Sequence, residues 1–312
     1  ISVVDLNMGE AGSTSVDSNG VTVNLQGTYA VAPVVFAFIT TTNESDATVV
    51  RVSDVSTSSF KLILDETTFS DGIHGDETVS YLVLTEGQWE LADGSLLEVG
   101  THSTTTNSDS FDRVDLNSDF SQAPLVFSQV QSNVNGLDFL KTRQDNAGTS
   151  FIKINLEAAD NVSLSGIAAE TIAYFAIERT SGRLGDISFE SANTSDSVTH
   201  ATSIVSTVSG LTPQHFIAAL ANFDGADNAS TRGQGIVNGQ INLFVEEDKT
   251  LDAEVLHTTE TVNYFAFSGS GLLSAVPQGG LPASGDFSYD PGTAFENLAV
   301  GDTVSDTFTY TV

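Results

Sequence analysis

The chain is 312 residues long, two or three domains' worth, with 41 Asp and Glu against 10 Lys and Arg and a formal charge of −31. Only 16% of residues are charged, below the ~25% usual for globular domains, so the imbalance comes from scarce cations. Such a field repels phosphate backbones and anionic head groups, and no run approaches the roughly 18 apolar residues of a membrane helix, so neither nucleic acid binding nor direct membrane insertion is expected. The absence of Cys removes disulfides and thiolate chemistry.

The opening Ile1-Ser2-Val3 has neither an initiator Met nor a signal-peptide pattern, as expected of a processed or excised segment. A Glu-x-small step at Glu10-Ala11-Gly12 leads into the alternating run Val21-Thr22-Val23-Asn24-Leu25, and Pro33-Val34-Val35-Phe36 follows. Next come Val49-Val50-Arg51-Val52, Phe60-Lys61-Leu62-Ile63-Leu64 and Glu77-Thr78-Val79-Ser80-Tyr81. The order then repeats. Glu98-Val99-Gly100, Pro124-Leu125-Val126-Phe127, Phe151-Ile152-Lys153-Ile154-Asn155-Leu156 and Glu170-Thr171-Ile172-Ala173-Tyr174 form a second copy. Glu190-Ser191-Ala192, Pro213-Gln214-His215-Phe216, Ile241-Asn242-Leu243-Phe244-Val245 and Glu260-Thr261-Val262-Asn263-Tyr264 form a third, at offsets of roughly 90 residues.

The hydrophobic period is two, and Gly, Asn, Asp and Ser clusters separate the runs at roughly 8–12 residues, the pattern of an antiparallel sandwich. Ile217-Ala218-Ala219-Leu220-Ala221 is helix-friendly but aligns with strands in the other copies, so a strand is predicted. The prediction is an all-β chain of three tandem antiparallel β-sandwich modules, six or seven strands each, at 1–91, 92–183 and 184–273. Residues 274–312 follow, with Pro277-Gln278-Gly279-Gly280-Leu281-Pro282 as a linker and Asp306–Val312 as a short strand. Too short for its own core, this tail packs on module three or adds strands to a neighbouring chain.

The Pro-Val-Val-Phe strand, the Phe60 strand and the closing His74-x-x-Glu77-Thr78-Val79-x-Tyr81 strand resemble the H-type lectin domain, in three copies over roughly residues 1 to 272. The resemblance implies a six-stranded antiparallel sandwich that associates as a trimer, and three copies on one chain imply an intramolecular pseudo-trimer. It also implies a sugar site between neighbouring subunits, made from an Asp, an Arg and an aromatic-His pair. Carried over, the candidates are Arg51 and Arg232, nine residues before the anchors Phe60 and Ile241, with His74, His257 and the trio Glu77, Glu170 and Glu260. Copy two has Thr142 at the Arg position, with Arg143 beside it, and Ile167 in place of His. The sugar-stacking Trp has no counterpart, since Trp89 lies beyond a closing strand. Phe287-Ser288-Tyr289-Asp290-Pro291 and the run that follows are similar to the beginning of cadherin-like repeats in bacterial adhesins.

Two readings of the Glu trio stay open: a ligand or cation site where modules meet, or carboxylates that satisfy backbone N–H groups as strands begin. Tyr81, Tyr174 and Tyr264 are expected in cores with a hydrogen-bonded hydroxyl. His74 and His257 stand at His-x-x-Glu, a metal-ligand spacing, but not on a helix, and a solvent-exposed turn is expected there. Acid-rich turns at Asp65, Glu66 and Asp71, at Asp224 and Asp227, and at Glu246, Asp248 and Asp252 could supply oxygens to structural Ca2+. Nucleophile-elbow, P-loop and Rossmann patterns are absent, and the notable residues occur three times where catalytic groups would occur once, so no enzyme is expected. Two functions remain for an extracellular or cell-surface protein. One is an adhesin binding glycans or surfaces; the other is a self-assembling subunit of a filament, sheath or surface layer whose partner is another copy of itself.

Overall fold

The computed structural model describes residues 6–67, 70–107, 110–225, 227–251 and 255–277. Every regular element among them is a strand, and the strands come in three sets of seven. The first set is β1 (Leu6–Val16), β2 (Val21–Asn24), β3 (Val34–Ile39), β4 (Thr48–Ser53), β5 (Ser59–Glu66), β6 (Glu77–Leu84) and β7 (Gly87–Glu90). The second is β8 (Leu96–Thr104), β9 (Asp112–Asp115), β10 (Leu125–Val130), β11 (Lys141–Gly148), β12 (Phe151–Glu157), β13 (Glu170–Ile177) and β14 (Thr180–Leu184). The third is β15 (Ile187–Asn193), β16 (Ser203–Val205), β17 (His215–Leu220), β18 (Ala229–Val237), β19 (Gln240–Glu247), β20 (Val262–Phe267) and β21 (Gly271–Pro277). The helix-friendly Ile217–Leu220 run is strand, as predicted. Residues 274–277 continue β21, and the linker beyond them and the cadherin-like tail lie outside the described residues.

Each set builds the same antiparallel sandwich. The opening, closing and Pro-led strands pair as β1-β6-β3, β8-β13-β10 and β15-β20-β17, and the remaining strands form three-stranded sheets β2-β5-β4, β9-β12-β11 and β16-β19-β18. The Pro-led strand β3 reads as an unbroken apolar run, and the closing strand β6 is apolar at most positions, because both of their faces are buried. Val35, Ala37 and Ile39 of β3 face the first sandwich core, while Val34, Phe36 and Phe38 enter a cluster shared by all three repeats. β10 divides in the same way, with Val126 and Val130 in its own core and Leu125 and Phe127 in the shared cluster. Phe175 sits at the centre of that cluster, 4.8 Å from Phe36, 4.5 Å from Phe127 and 5.9 Å from Phe265, one ring from each repeat. Burial of such rings stabilises by roughly 1.5–3 kcal/mol each, so the repeats are held together by a core as apolar as their own.

The strand after each closing strand joins the repeats in a cycle. β7 pairs with β8 in a register that sets Gly87 opposite Val99, and β14 pairs with β15 with Thr180 opposite Ser191. β21 pairs with β1, with Gly271 opposite Ala11. In every case the partner is the residue after the buried Glu of the opening strand, Glu98, Glu190 or Glu10. The third repeat therefore returns to the first by the joint that links the others, made there without a covalent hairpin.

Candidate functional site

The strand register aligns the candidate residues across the copies. Arg51 lies opposite Ile63, Arg143 opposite Asn155 and Arg232 opposite Phe244. Counting back three residues on the partner strand gives Phe60, Ile152 and Ile241, all buried at 1% exposure or less. The anchor of copy two is thus Ile152, not Phe151, and Arg143 rather than Thr142 is the third arginine. The error is one residue, the slip that moves a strand residue to the opposite face. Phe151 lies on the outside under the Arg113 guanidinium, 3.9 Å from its ring centroid.

The arginines do not line an open groove. Each is buried and extends from one repeat into the next, where its N–H groups donate to the loop after the Pro-led strand. Arg232 donates through Nη1 to Glu246 Oε1 at 2.7 Å and Asp46 O at 2.8 Å, and through Nη2 to Glu77 Oε1 and Glu44 O, both at 2.8 Å. Arg143 donates to Glu260 Oε1 at 3.0 Å and to the carbonyls of Gly225 and Asp227 at 3.4 Å. Arg51 donates to Asp65 at 3.3 Å, to Leu137 O at 2.8 Å, and to Asn133 Oδ1 at 3.2 Å. Repeat one thus reaches into two, two into three, and three into one. Burial of these charges is tolerable only because so many partners replace water.

The Glu trio divides its work: Glu170 satisfies donors of its own repeat, Glu260 meets an arginine of the neighbouring repeat, and Glu77 does both. Glu77 accepts from the Thr41 hydroxyl and from the N–H groups of Asn43 and Glu44, and also faces Arg232 and His74. Glu170 accepts from the Ser132 hydroxyl, the Val134 and Asn135 N–H groups and the Asn135 amide. Glu260 faces Arg143 and His257. Burial works to raise the Glu77 pKa, but hydrogen bonds from His74, Thr41 and the Glu44 N–H, followed by the Arg232 charge, bring it down to about 2. Glu170 is lowered in the same way by Ser132 and the two N–H groups, against its own desolvation.

The histidines are interior, at 1% and 5% exposure, which corrects the expected solvent-exposed turn. His74 Nδ1 lies 2.5 Å from Glu66 Oε1 and its Nε2 3.3 Å from Glu77 Oε1; His257 bridges Glu247 and Glu260 at 2.6 and 3.0 Å. Burial alone would lower both imidazoles, but their two carboxylates outweigh it and raise their pKa values. Copy two replaces His by Ile167, and the acid partner is gone too: Ala158 follows Glu157 where Glu66 follows Asp65 and Glu247 follows Glu246. Base and acid are present together or absent together.

Sequence reasoning noted a second buried carboxylate set only as a landmark. Glu10 accepts the N–H groups of Gln26 and Gly27, Glu98 those of Asn117 and Ser118, and Glu190 those of Val208 and Ser209. The closing-strand tyrosines are in the cores as expected. Tyr264 donates to Glu190 at 2.6 Å, and burial with the Glu98 charge pushes Tyr174 up to about 12. Glu44, Lys141 and Glu157 were missed. Lys141, buried, pairs with Glu157 and donates to Ala229 O across a junction.

The residues expected to bind calcium are dispersed among separate tasks. Asp65 pairs with Arg51 and accepts the Phe139 N–H, Glu66 holds His74, and Glu246 holds Arg232. Asp71 accepts the Ile73 N–H in its own turn, Asp224 the Asn222 amide, and Asp248 the Asp160 N–H across a junction. Asp227 contributes its carbonyl to Arg143, and Asp252 lies outside the described residues. Among the described residues, the acid and imidazole ligand atoms that converge within 4.8 Å of one another belong to Glu44, Glu66 and His74.

A cavity of about 110 Å³ remains where β3, β10 and β17 meet, lined among others by Phe36, Phe127, Gln129, Lys141, Gln144 and Thr231. Ligand sites occupy roughly 300–1,000 Å³, so this one has room for water rather than a sugar ring. Comparison of the chain with protein-family models, curated proteins and solved structures returns no match.

Proposed function

We propose that the chain is a non-enzymatic structural body of an extracellular surface protein, a self-locked β-scaffold that assembles with copies of itself. The observation that favours this reading over a glycan-binding one is the placement of the three arginines. A sugar site between repeats needs guanidinium and imidazole donors turned to solvent, and here they are buried and directed at the next repeat. Trp89, the single Trp, is buried as well and presents no stacking face. Six strands per sandwich and a threefold cycle are in keeping with an H-type-lectin-like architecture whose junctions serve cohesion.

The test is electron microscopy of the purified chain with and without calcium, the ion expected at the acidic turns, paired with a glycan array. Ordered polymers with an empty array are the expected result. Dispersed monomers that bind a glycan would overturn the proposal and restore the adhesin reading.

A further inference from the structure

We propose that Glu44, Glu66 and His74 form a binding site for a zinc-class divalent cation at the junction of the third repeat with the first. Their ligand atoms lie within 4.8 Å of one another. Glu66 is a buried carboxylate whose Oε1 meets His74 Nδ1 at 2.5 Å while Oε2 has no hydrogen-bond partner among the described residues. A buried carboxylate oxygen without a partner is costly, and a cation removes that cost. The surroundings carry an excess of negative charge. The Arg232 guanidinium is taken up by Glu77 and Glu246, while the Glu66 carboxylate turns to His74 and that of Glu44 accepts the Gly75 N–H.

The donor set selects the ion. One imidazole nitrogen and two carboxylates match Zn2+ and its neighbours, whereas Ca2+ takes roughly six to eight oxygens. Binding transfers the Nδ1 proton to solvent, so the lone pair on Nδ1 can bond the metal, and Nε2 then carries the remaining ring proton. That N–H faces Glu77 Oε1, 3.3 Å away and shared with Arg232 Nη2, which lies 3.2 Å from Nε2, so Glu77 is the outer carboxylate that orients a metal-bound imidazole. Glu44 is only half-buried, which opens the site to solvent on one side.

The other junctions supply the comparison. Repeat three keeps His257 and Glu247, but Gly225 takes the place of Glu44, as the Arg143 contact to Gly225 O and the Arg232 contact to Glu44 O show. Repeat two has Ile167 and Ala158 and keeps neither ligand. Among the described residues, one junction therefore has the complete set, one lacks the counterpart of Glu44, and one has neither the His nor the Glu beside it.

The test uses the full chain, stripped with EDTA and desalted, then titrated with Zn2+ by calorimetry in millimolar Ca2+ and Mg2+ that occupy surface carboxylates. Co2+ serves as the spectroscopic probe. One tight equivalent is expected, with Co2+ giving the visible absorption of a four-coordinate nitrogen and oxygen site. Glu44→Gln and Glu66→Gln should weaken that equivalent more than about tenfold, and Glu247→Gln should leave it unchanged. Glu44→Gln keeps the test sound if Glu66→Gln fails to fold, and a melting curve of its metal-free form confirms folding. Absence of a tight equivalent would overturn the proposal, as would equal affinity in folded Glu44→Gln or loss of binding in Glu247→Gln.

Discussion

Loss of the Arg232 guanidinium would leave Glu77 and Glu246 in the interior without their shared counter-charge. Breaking a buried ion pair from one side costs about 3–5 kcal/mol, and Arg232→Met should lower urea stability by that amount. Arg51→Met should cost less, because Glu170 across that junction is satisfied by N–H and hydroxyl donors of its own repeat. The titrations carry signs. His257 is raised above its ordinary 6.5, so its contribution is complete below that value and is lost as pH rises through the folded value. Glu170 is lowered from 4.5, so its contribution holds above that value and is lost as pH falls through the folded value. Melting temperature against pH should fall on both limbs, with the alkaline limb flattened in His257→Gln. The three junction arginines, His74, His257 and the Glu-Thr glutamates were visible in the sequence, but their tasks were not, and Glu44 and Glu157 carried no repeat signal. Phe151 and Ile152 are adjacent apolar residues, and only strand pairing decides which faces the core. The pairing of Ile167 with Ala158 becomes informative only once that register is known.

At the scale of strands, the sequence was most readable where burial is two-sided. The Pro-led runs and the Glu-Thr strands carry apolar residues at almost every position because one face packs in its sandwich and the other in the shared cluster. The opening strands were readable through their Glu and small residues, and the reason is steric. A Cβ on Gly12 would lie 2.5 Å from the Tyr81 hydroxyl, and one on Gly100 would lie 2.6 Å from that of Tyr174. Gly100→Val should therefore lower stability by about 1–3 kcal/mol through overpacking, measured by the same urea midpoint. β21 was not legible. Its run is short, and nothing local indicates that its partner is β1, more than 250 residues away. Leu273 of β21 is 1% exposed in the shared cluster. A chain ending at residue 270 should lose roughly 2–3 kcal/mol and expose the β1 edge, and a peptide of residues 271–277 added in trans should restore the lost melting temperature.

For the whole molecule, three sandwiches were expected as a string or a pseudo-trimer, and the shared aromatic core with its cycle of arginines makes them one cooperative body. Calorimetry should show a single transition whose measured and van't Hoff enthalpies agree; three separable transitions would contradict the shared core. The charge arithmetic also acquires a location. Four of the 10 cationic side chains, Arg51, Lys141, Arg143 and Arg232, are buried at the junctions beside acids such as Glu77, Glu246 and Glu260, and most of the remaining acids lie on the exterior, which keeps a large negative charge. Added NaCl should raise the melting temperature by screening that exterior while leaving the interior pairs intact.

The joint between β21 and β1 also decides how the body bears load. The two strands are antiparallel, with Leu6 opposite Ala275 and Ala11 opposite Gly271, so the chain on either side of the body departs from one point. Tension applied through those two ends does not slide the strands past each other. It falls first on the pairs nearest those ends, Pro277 with Trp89, Val276 with Glu90 and Leu6 with Ala275, and then on each β1–β21 pair in turn, as in a zip, so the ladder resists a rung or two at a time. Such a body peels open at low force at this one seam while the covalent hairpins of β7 with β8 and β14 with β15 stay closed, and it can re-seat when the tension drops.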